Sequence, residues 1–409
     1  MPVAVTPPPV LAALEGTALF SPHKLGKLAL KHRVVQAPNT RMRCDRESRG
    51  VHVPGPRVVK YYSDRASAGG LQITEATDIC LNASGYPGVP GVFTDSQLQG
   101  WKKVTDAVHA KGGFIFVQLW HTGRASSPGM LGGQAPLSSG TTPMSGSYMD
   151  GMETKDGPPR AMTIDEIHDM TAEWAAASKR AVEQAGFDGV EIHSANGYLL
   201  EQFLHDNINK RTDSYGGSVE NRCRFTIEVV QAVSKAIGPE KTGIRLSPYN
   251  YFQDTRDSCP NDHWSYLCER IAALPSSERP TYVHMVEPRF DEVLNEEQKL
   301  ESLTKEANGE KAARGNSLTI FSDILRPAGV NFLACGNFNR DNANPKLKSQ
   351  GADLIVFGRH FIANPDLVDR LRNGWPLTKY DRATFYGAEP PEKGYNDYPF
   401  YEETVKASA

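Results

Sequence analysis

The sequence predicts an α/β fold: a single (β/α)8 barrel of the TIM type, with loop insertions after its third and sixth strands. Three observations lead there. Eight short apolar runs, each rich in β-branched or aromatic residues, recur along the 409 residues. Amphipathic helical segments lie between several of them, which is the cadence of a parallel sheet. Eight such units in one chain favour a closed barrel over an open, doubly wound sheet. No G-x-G-x-x-G follows any run, and no G-x-x-x-x-G-K-[ST] occurs. Both absences weaken the dinucleotide-binding sheet and the nucleotide hydrolase as alternatives.

The expected strands are "RVVQAP" (33–38), "GLQITEA" (70–76), "GFIFVQLW" (113–120), "GVEIHS" (189–194), "TGIRLSP" (242–248), "TYVHMVEP" (281–288), "NFLACGNF" (331–338) and "ADLIVFGRHF" (352–361). "TIDEIHDMTAEWAAASKRAVEQAG" predicts a helix whose apolar face carries Ile164, Ile167, Thr171, Trp174, Ser178, Ala181 and Val182. Thr163 with Glu166 forms a capping box, and Gly186 supplies the stop. Thr94 with Gln97 repeats the box before "LQGWKKVTDAVHAKG", and "SVENRCRFTIEVVQAVSKAIG" is a third helix. Residues 124–161, rich in Gly, Ser and Pro, follow the third strand, where barrel enzymes carry long substrate loops. Residues 291–316 are polar and follow the sixth. Both read as insertions in one domain spanning 1–409.

Composition narrows the function. Lys plus Arg (45) nearly balances Asp plus Glu (48), for a formal charge of −3, so no basic surplus points to nucleic acid. The six cysteines form no Cys-x-x-Cys pair and are scattered as buried thiols are. The first residues lack a charged n-region, and no apolar run nears the roughly 18 residues a membrane span needs. A cytoplasmic protein is the expectation. No His-x-His, H-E-x-x-H or G-x-S-x-G is present, so no metal site and no serine hydrolase elbow is expected.

In such a barrel, side chains at the carboxyl ends of the strands face the active-site mouth. There the sequence places Pro38, Asn39 and Thr40, then Glu75 and Ala76, then Gln118 and Trp120. His193 and Asn196 follow the fourth strand, Arg245 lies in the fifth, and Gly336 with Asn337 and Gly358 with Arg359 end the last two. Glycine turns after strands seven and eight suit a phosphate, using backbone N–H groups and a following helix N-terminus. Gln118 suits the edge of a planar heterocycle. Arg245 would stabilise a group that becomes anionic. Together these describe flavin mononucleotide. His193 and Asn196, three apart, form a two-donor cradle for an oxyanion, against the plainer reading that they cap a turn. Tyr198 reads equally as a packed ring. Trp120 and Tyr86 read most simply as core or rim aromatics.

The motifs "VQLWHTGR", "GVEIHSANGYLLEQFLHDNINKRTDSYGGSVENR", "IRLSPY" and "GRHFIANPDLV" resemble the Old Yellow Enzyme family of FMN-dependent ene-reductases, over nearly the whole chain. That resemblance implies tightly bound, non-covalent FMN and NADPH as a transient hydride donor. It implies that Pro38, Asn39 and Thr40 form a flavin-binding turn, with Thr40 bonded to O4. Ala76 contacts the ring through its backbone, Gln118 pairs with the pyrimidine edge, and Arg245 sits by N1 and O2. Gly336, Asn337, Gly358 and Arg359 hold the phosphate. His193 and Asn196 bind the substrate oxygen, and Tyr198 is the proton donor. Tyr86, Trp120, Phe252 and Tyr386 line the substrate pocket. Asn39 is polar where relatives often carry an apolar residue. The implied substrates are activated alkenes: unsaturated aldehydes and ketones, nitroalkenes or maleimides. Phenols are the expected inhibitors, and the protein is a monomer or homodimer. A flavin isomerase or reductase of a secondary-metabolite pathway, such as that of ergot alkaloid aldehydes, is the alternative, which the presence of Tyr198 disfavours.

Overall fold

The computed structural model describes residues 11–290, 297, 298, 301 and 317–402. Eight parallel strands close into a barrel. They are β1 (Val34–Gln36), β2 (Leu71–Asp78), β3 (Phe114–Trp120), β4 (Gly189–Ser194), β5 (Thr242–Leu246), β6 (Tyr282–Val286), β7 (Asn331–Cys335) and β8 (Leu354–Phe357). Seven fall within the apolar runs, β2 extends two residues past its run to Asp78, and β8 pairs with β1 to close the ring. The runs are apolar because both faces of each strand are buried, one against the barrel interior and one against the helices.

Two cores follow from that geometry. The larger lies between the strands and the outer helices, and holds Trp101, Trp174, Trp264 and the outward residues Ile115, Val117, Val190, Ile192 and Ile244. The smaller fills the barrel, with Val35, Leu71, Ile73, Phe116, Leu333 and Val356. Leu25 and Leu30 join this inner core from an antiparallel hairpin, His23–Leu25 with Leu28–Leu30. The hairpin meets side chains near the start of the strands, so it plugs the amino end and leaves the carboxyl end for function.

The helices include α1 (Pro56–Arg65), α2 (Asp95–His109), α3 (Ile164–Glu183), α4 (Leu199–Leu204), α5 (Val219–Ile237), α6 (Pro260–Ala272), α7 (Thr319–Leu325), α8 (Ala343–Lys348), α9 (Arg359–Ala363) and α10 (Leu367–Asn373). Both predicted capping boxes form, at Thr94 with Gln97 and at Thr163 with Glu166. The apolar face of α3 is rotated from the expected one. Met170 and Ala177 are buried with Ile167, Trp174, Ser178 and Ala181, while Ile164 is exposed. Ile164 begins the helix, beyond the edge of the sheet it packs on. No helix among the described residues is long and apolar enough to cross a membrane.

The 124–161 stretch has more structure than its composition suggests. Leu137–Ser138 pairs in parallel with Arg160–Ala161 and closes the base of the excursion. Arg124, fully buried, donates to the carbonyls of Thr142 and Pro143 within it and to Gln253 beyond β5. The 291–316 insertion lies almost wholly outside the described residues.

One inward position carries no side chain, for a steric reason. Gly243 in β5 sits beside Tyr282 in β6, and a Cβ there would lie 2.1 Å from the Tyr282 ring. The vacancy lets the tyrosine cross the barrel and bond Glu191 in β4, 3.1 Å from its hydroxyl. Gly243→Ala should therefore destabilise the protein by about 1–3 kcal/mol, the usual cost of overpacking. The midpoint of urea unfolding measures it, and an unchanged midpoint would show that the ring can move aside freely.

Candidate active site

A cavity of about 790 Å³ opens at the carboxyl end of the barrel. The strand period of two decides which residues reach it. Gln118, Glu191 and Gly243 lie side by side across β3, β4 and β5. His193, Arg245 and His284 form the next layer toward the mouth.

Its floor is a buried charge cluster that sequence reasoning did not identify. Glu191, fully buried, accepts hydrogen bonds from Gln118 Nε2 at 2.7 Å and the Tyr282 hydroxyl at 3.1 Å, and its Oε2 lies 2.9 Å from His284 Nδ1. Burial opposes charge on Glu191, but His284 and then Arg245 outweigh it and hold the carboxyl below its ordinary range. Burial would likewise lower His284, yet Cys335 and Glu191 raise it to about 9. His284 is thus an imidazolium at neutral pH. Because Glu191 takes the Gln118 NH2 group, the Gln118 carbonyl oxygen is turned from the carboxylate and left to accept from the cavity. A carboxylate inside an apolar strand was the visible signal. Its partners, on strands distant in sequence, were not.

Arg245 lies beside this cluster. Its Nη2 is 3.9 Å from Cys335 Sγ, and its buried Nε has no hydrogen-bond partner among the described residues. A buried guanidinium with an unsatisfied N–H is costly unless an acceptor enters the cavity. The same neighbourhood shifts the thiol of Cys335: burial raises it, and His284 with Arg245 bring it below its ordinary value.

The opposite wall is built for close backbone approach. Gly336 adopts φ +114°, where a Cβ would also press on Phe290 and Glu287 at 2.9–3.0 Å. A Cβ on Gly358 would meet Asn39 Oδ1 at 3.1 Å, and Asn39 Nδ2 donates to the Gly358 carbonyl at 3.3 Å. Asn39 therefore ties the turn after β1 to the turn after β8, and its polarity serves that tie. Asn337, like Gly336, has positive φ and lines the cavity, as does Arg359, whose guanidinium lies 5.0 Å over the Phe290 ring. The helices that follow these turns are short: α8 has six residues, and α9, which begins at Arg359, has five.

On the remaining side stands an aromatic wall. The rings of Trp120 and Tyr198 meet edge to face at 4.5 Å, His193 and Tyr198 do so at 5.1 Å, and Tyr86 packs on Trp120 at 5.4 Å. The Tyr198 hydroxyl is 3.5 Å from that of Tyr86. Burial, reinforced by Arg245 and His284, holds His193 well below its ordinary pKa, so it is a neutral imidazole at physiological pH. Its buried Nδ1 has no hydrogen-bond partner among the described residues.

The turn between β4 and α4 does not use His193 or Asn196 as the cap of that helix. The N-cap position of α4 is Tyr198, and its side chain makes no capping bond. His193 and Asn196 lie upstream of the helix and line the cavity. Asn196 is held in the left-handed region at φ +57°, its N–H donating to Ser247 Oγ at 2.8 Å. Glu201, fully buried, accepts from both the Ser247 hydroxyl and the Gly197 N–H. Gln202 bonds the Gly197 carbonyl at 2.7 Å and the Thr122 carbonyl at 3.1 Å. Neither Glu201 nor Gln202 stood out as a positioning residue in the sequence.

Of the expected site residues, all but Glu75 and Ala76 line this one cavity; Glu75 is buried and accepts from the Arg41 N–H at 3.2 Å. Ala76 packs instead with Trp120 and Tyr198. Phe252 and the largely exposed Tyr386 lie on the cavity wall with Met144 and Tyr148 of the 124–161 loop. The C-terminal segment bearing Phe385 and Tyr386 is pinned by Arg41 and Arg43, both buried, which donate to the carbonyls of Thr384, Phe385 and Gly394 and of Thr384 and Pro391. Asp206, Asp257 and His263 cluster at metal-ligand spacing elsewhere. Arg222, 3.0 Å from His263 Nδ1, already places a cation there.

The cavity's donor set suits FMN: an acceptor beside a cation on the floor, two glycine turns with Arg359, and the Arg245 guanidinium with its Nε unpaired among the described residues. Comparison with known proteins agrees. Residues 18–378 match the NADH:flavin oxidoreductase / NADH oxidase family. The flavin oxidoreductase hxnT of Emericella nidulans is 60% identical over 93% of this chain and 97% of its own. The 12-oxophytodienoate reductase 1 of Oryza sativa subsp. japonica is 43% identical over 98% of each. Morphinone reductase, solved in complex with tetrahydroNAD, superposes with a TM-score of 0.79 at 39% identity, over 94% of this chain and 97% of its own. The chain belongs to the NADH:flavin oxidoreductase / NADH oxidase family, as an FMN-dependent oxidoreductase of the Old Yellow Enzyme type.

Proposed function

We propose that the protein is an ene-reductase that uses NADPH to saturate an activated alkene, an α,β-unsaturated aldehyde or ketone, a nitroalkene or a maleimide. The observation that carries this reading is the convergence of a neutral His193, a strained Asn196 and Tyr198 on one wall of the cavity, facing a floor built for a flavin. Bound FMN would supply the redox chemistry, passing a hydride from NADPH to the β-carbon of the alkene.

The chain's own residues do the rest. His193 and Asn196 donate to the activating oxygen of the alkene and draw charge from the double bond. As the hydride arrives, negative charge grows on that oxygen, where the two donors are already held. Neutral His193 suits this role, since it donates without fixing a full charge beside the unreacted substrate. Tyr198 delivers a proton to the α-carbon, a general acid's part. Gln118, oriented by Glu191, would accept from the pyrimidine edge of the cofactor, and Arg245 would supply positive charge beside it. Pro38 and Thr40 would form the turn against the ring, and Gly336, Asn337, Gly358 and Arg359 would hold the phosphate. NADPH enters and leaves through the same open mouth. Net reduction is favoured over isomerisation by the presence of Tyr198.

Two substitutions test these assignments. Tyr198→Phe should slow the alkene half-reaction by about 10²–10⁴-fold, the usual worth of a general acid, and leave reduction of the flavin by NADPH unchanged. Stopped-flow absorbance separates the two halves, and a collapse of flavin reduction would remove the proton-donor role. Replacing both His193 and Asn196 with Ala should raise the Kd for a phenol about a hundredfold or more, from roughly 1.5 kcal/mol per hydrogen bond to a charged oxygen. Spectral titration measures it, and an unchanged Kd would dispose of the oxyanion cradle.

A further inference from the structure

Behind the aromatic wall lies a carboxyl with no part in the chemistry above. Asp78 ends β2 and is 1% exposed. A β-bulge between Ile73 and Ala76 shifts the register of β2 on β3 and sets Asp78 directly opposite Trp120. Trp120 Nε1 donates to Asp78 Oδ1 at 2.5 Å. The backbone around the pair is fixed from both sides. The Asp78 N–H donates to the Pro90 carbonyl at 2.8 Å, its carbonyl accepts from Val92 at 3.0 Å, and Ile79 donates to the Trp120 carbonyl at 3.3 Å. Asp78 does not line the cavity, whereas Trp120 does.

A buried acid in this place has a cost. Its partner Trp120 belongs to an apolar cluster with Ala76, Val89, Ala125 and Tyr198, so the carboxyl sits at the edge of an apolar region. Burial pushes the carboxyl well above its ordinary range, and the hydrogen bond from Trp120 only partly opposes this. One of its oxygens is fixed on the indole. The ring it fixes is the hub of the wall. Besides the edge-to-face contact with Tyr198, Trp120 lies nearly parallel to His193, at 18° with centroids 6.1 Å apart. A turn of the indole about its side-chain bonds would move the surface behind the proton donor and the oxygen-binding imidazole together.

We infer that Asp78 is a positioning residue that sets substrate selection by locking the Trp120 indole as the wall of the alkene pocket. The bond at Nε1 holds one rotamer, and that rotamer limits the width of alkene that can lie against His193 and Tyr198. Without the bond, the indole gains freedom and the limit relaxes. The inference deepens the ene-reductase reading and rests on it for the identity of the substrate. The hold of Asp78 on the indole stands apart from that reading.

The test uses FMN-loaded protein and three forms of it: wild type, Asp78→Leu and Asp78→Asn. Asn keeps a carbonyl oxygen for the indole and a similar shape, so it guards against a mere folding defect. The first readout is the Trp120 indole N–H resonance in protein labelled with ¹⁵N-tryptophan, assigned by its loss in Trp120→Phe. It should move to a less hydrogen-bonded, faster-exchanging position in Asp78→Leu and stay in place in Asp78→Asn. The second readout is the kcat/KM preference for maleimide over N-phenylmaleimide, which share one reacting bond and differ in width. Asp78→Leu should change that preference by about tenfold or more, the scale of steric discrimination in a pocket, chiefly through KM. Asp78→Asn should keep it, and NADPH should reduce the flavin at the wild-type rate in both. An indole signal unmoved in Asp78→Leu overturns the inference whatever the activity. A moved signal with unchanged preference overturns the selection claim. Failure of wild type to reduce either maleimide would instead count against the ene-reductase reading, and the indole signal would still decide whether Asp78 holds the ring.

Discussion

A carboxylate buried at the axis of a barrel must be paired, and Glu191 is such a group. Alone it would be strongly disfavoured there, by several kcal/mol or more. Its three partners are drawn from β3 and β6, so meeting its need arranges the middle of the barrel. Gln118 is turned to give its amide hydrogens to Glu191. His284 takes a positive charge, and Tyr282 spans the space that Gly243 leaves. The cavity above then has a floor whose donors and acceptors are already assigned, with the positive charge of Arg245 left over for whatever enters. A site of this kind needs little rearrangement when charge develops in it, which is where electrostatic catalysis gains most.

A second buried carboxylate sets the rim. Glu201 holds the turn after β4 by accepting from Gly197 and Ser247, and Ser247 in turn accepts from Asn196. The left-handed backbone at Asn196 is a conformation that few residues adopt without support. The strain is localised where a side chain must face the cavity rather than cap the helix that follows. Floor and rim share a plan: a buried acid whose hydrogen bonds fix polar groups that line the cavity, while the acid itself does not line it.

Much of this was legible in the sequence, and the limits have physical causes. The eight strands stood out because strands buried on both faces are continuous apolar runs, and strand ends in a barrel indicate which polar residues meet. His193, Arg245, Gln118 and Arg359 were found that way. The pairing of Glu191 with His284 was not, because contact between strands so distant in sequence depends on register, which a single sequence leaves open. The bulge that brings Asp78 opposite Trp120 is hidden for the same reason. Arg41 and Arg43 bond the backbone of a segment more than three hundred residues away, and backbone carbonyls carry no sequence signature.

The central claim is that this cavity performs net reduction of an alkene, with the chain supplying an oxyanion cradle and a proton. The most direct measurement reduces the FMN-loaded protein anaerobically with a stoichiometric amount of NADPH, removes the oxidised nucleotide, and mixes the protein with maleimide in a stopped-flow spectrometer. The account predicts that the absorbance of oxidised flavin returns in full, with one succinimide formed per flavin. Flavin that stays reduced in the presence of the alkene would contradict it.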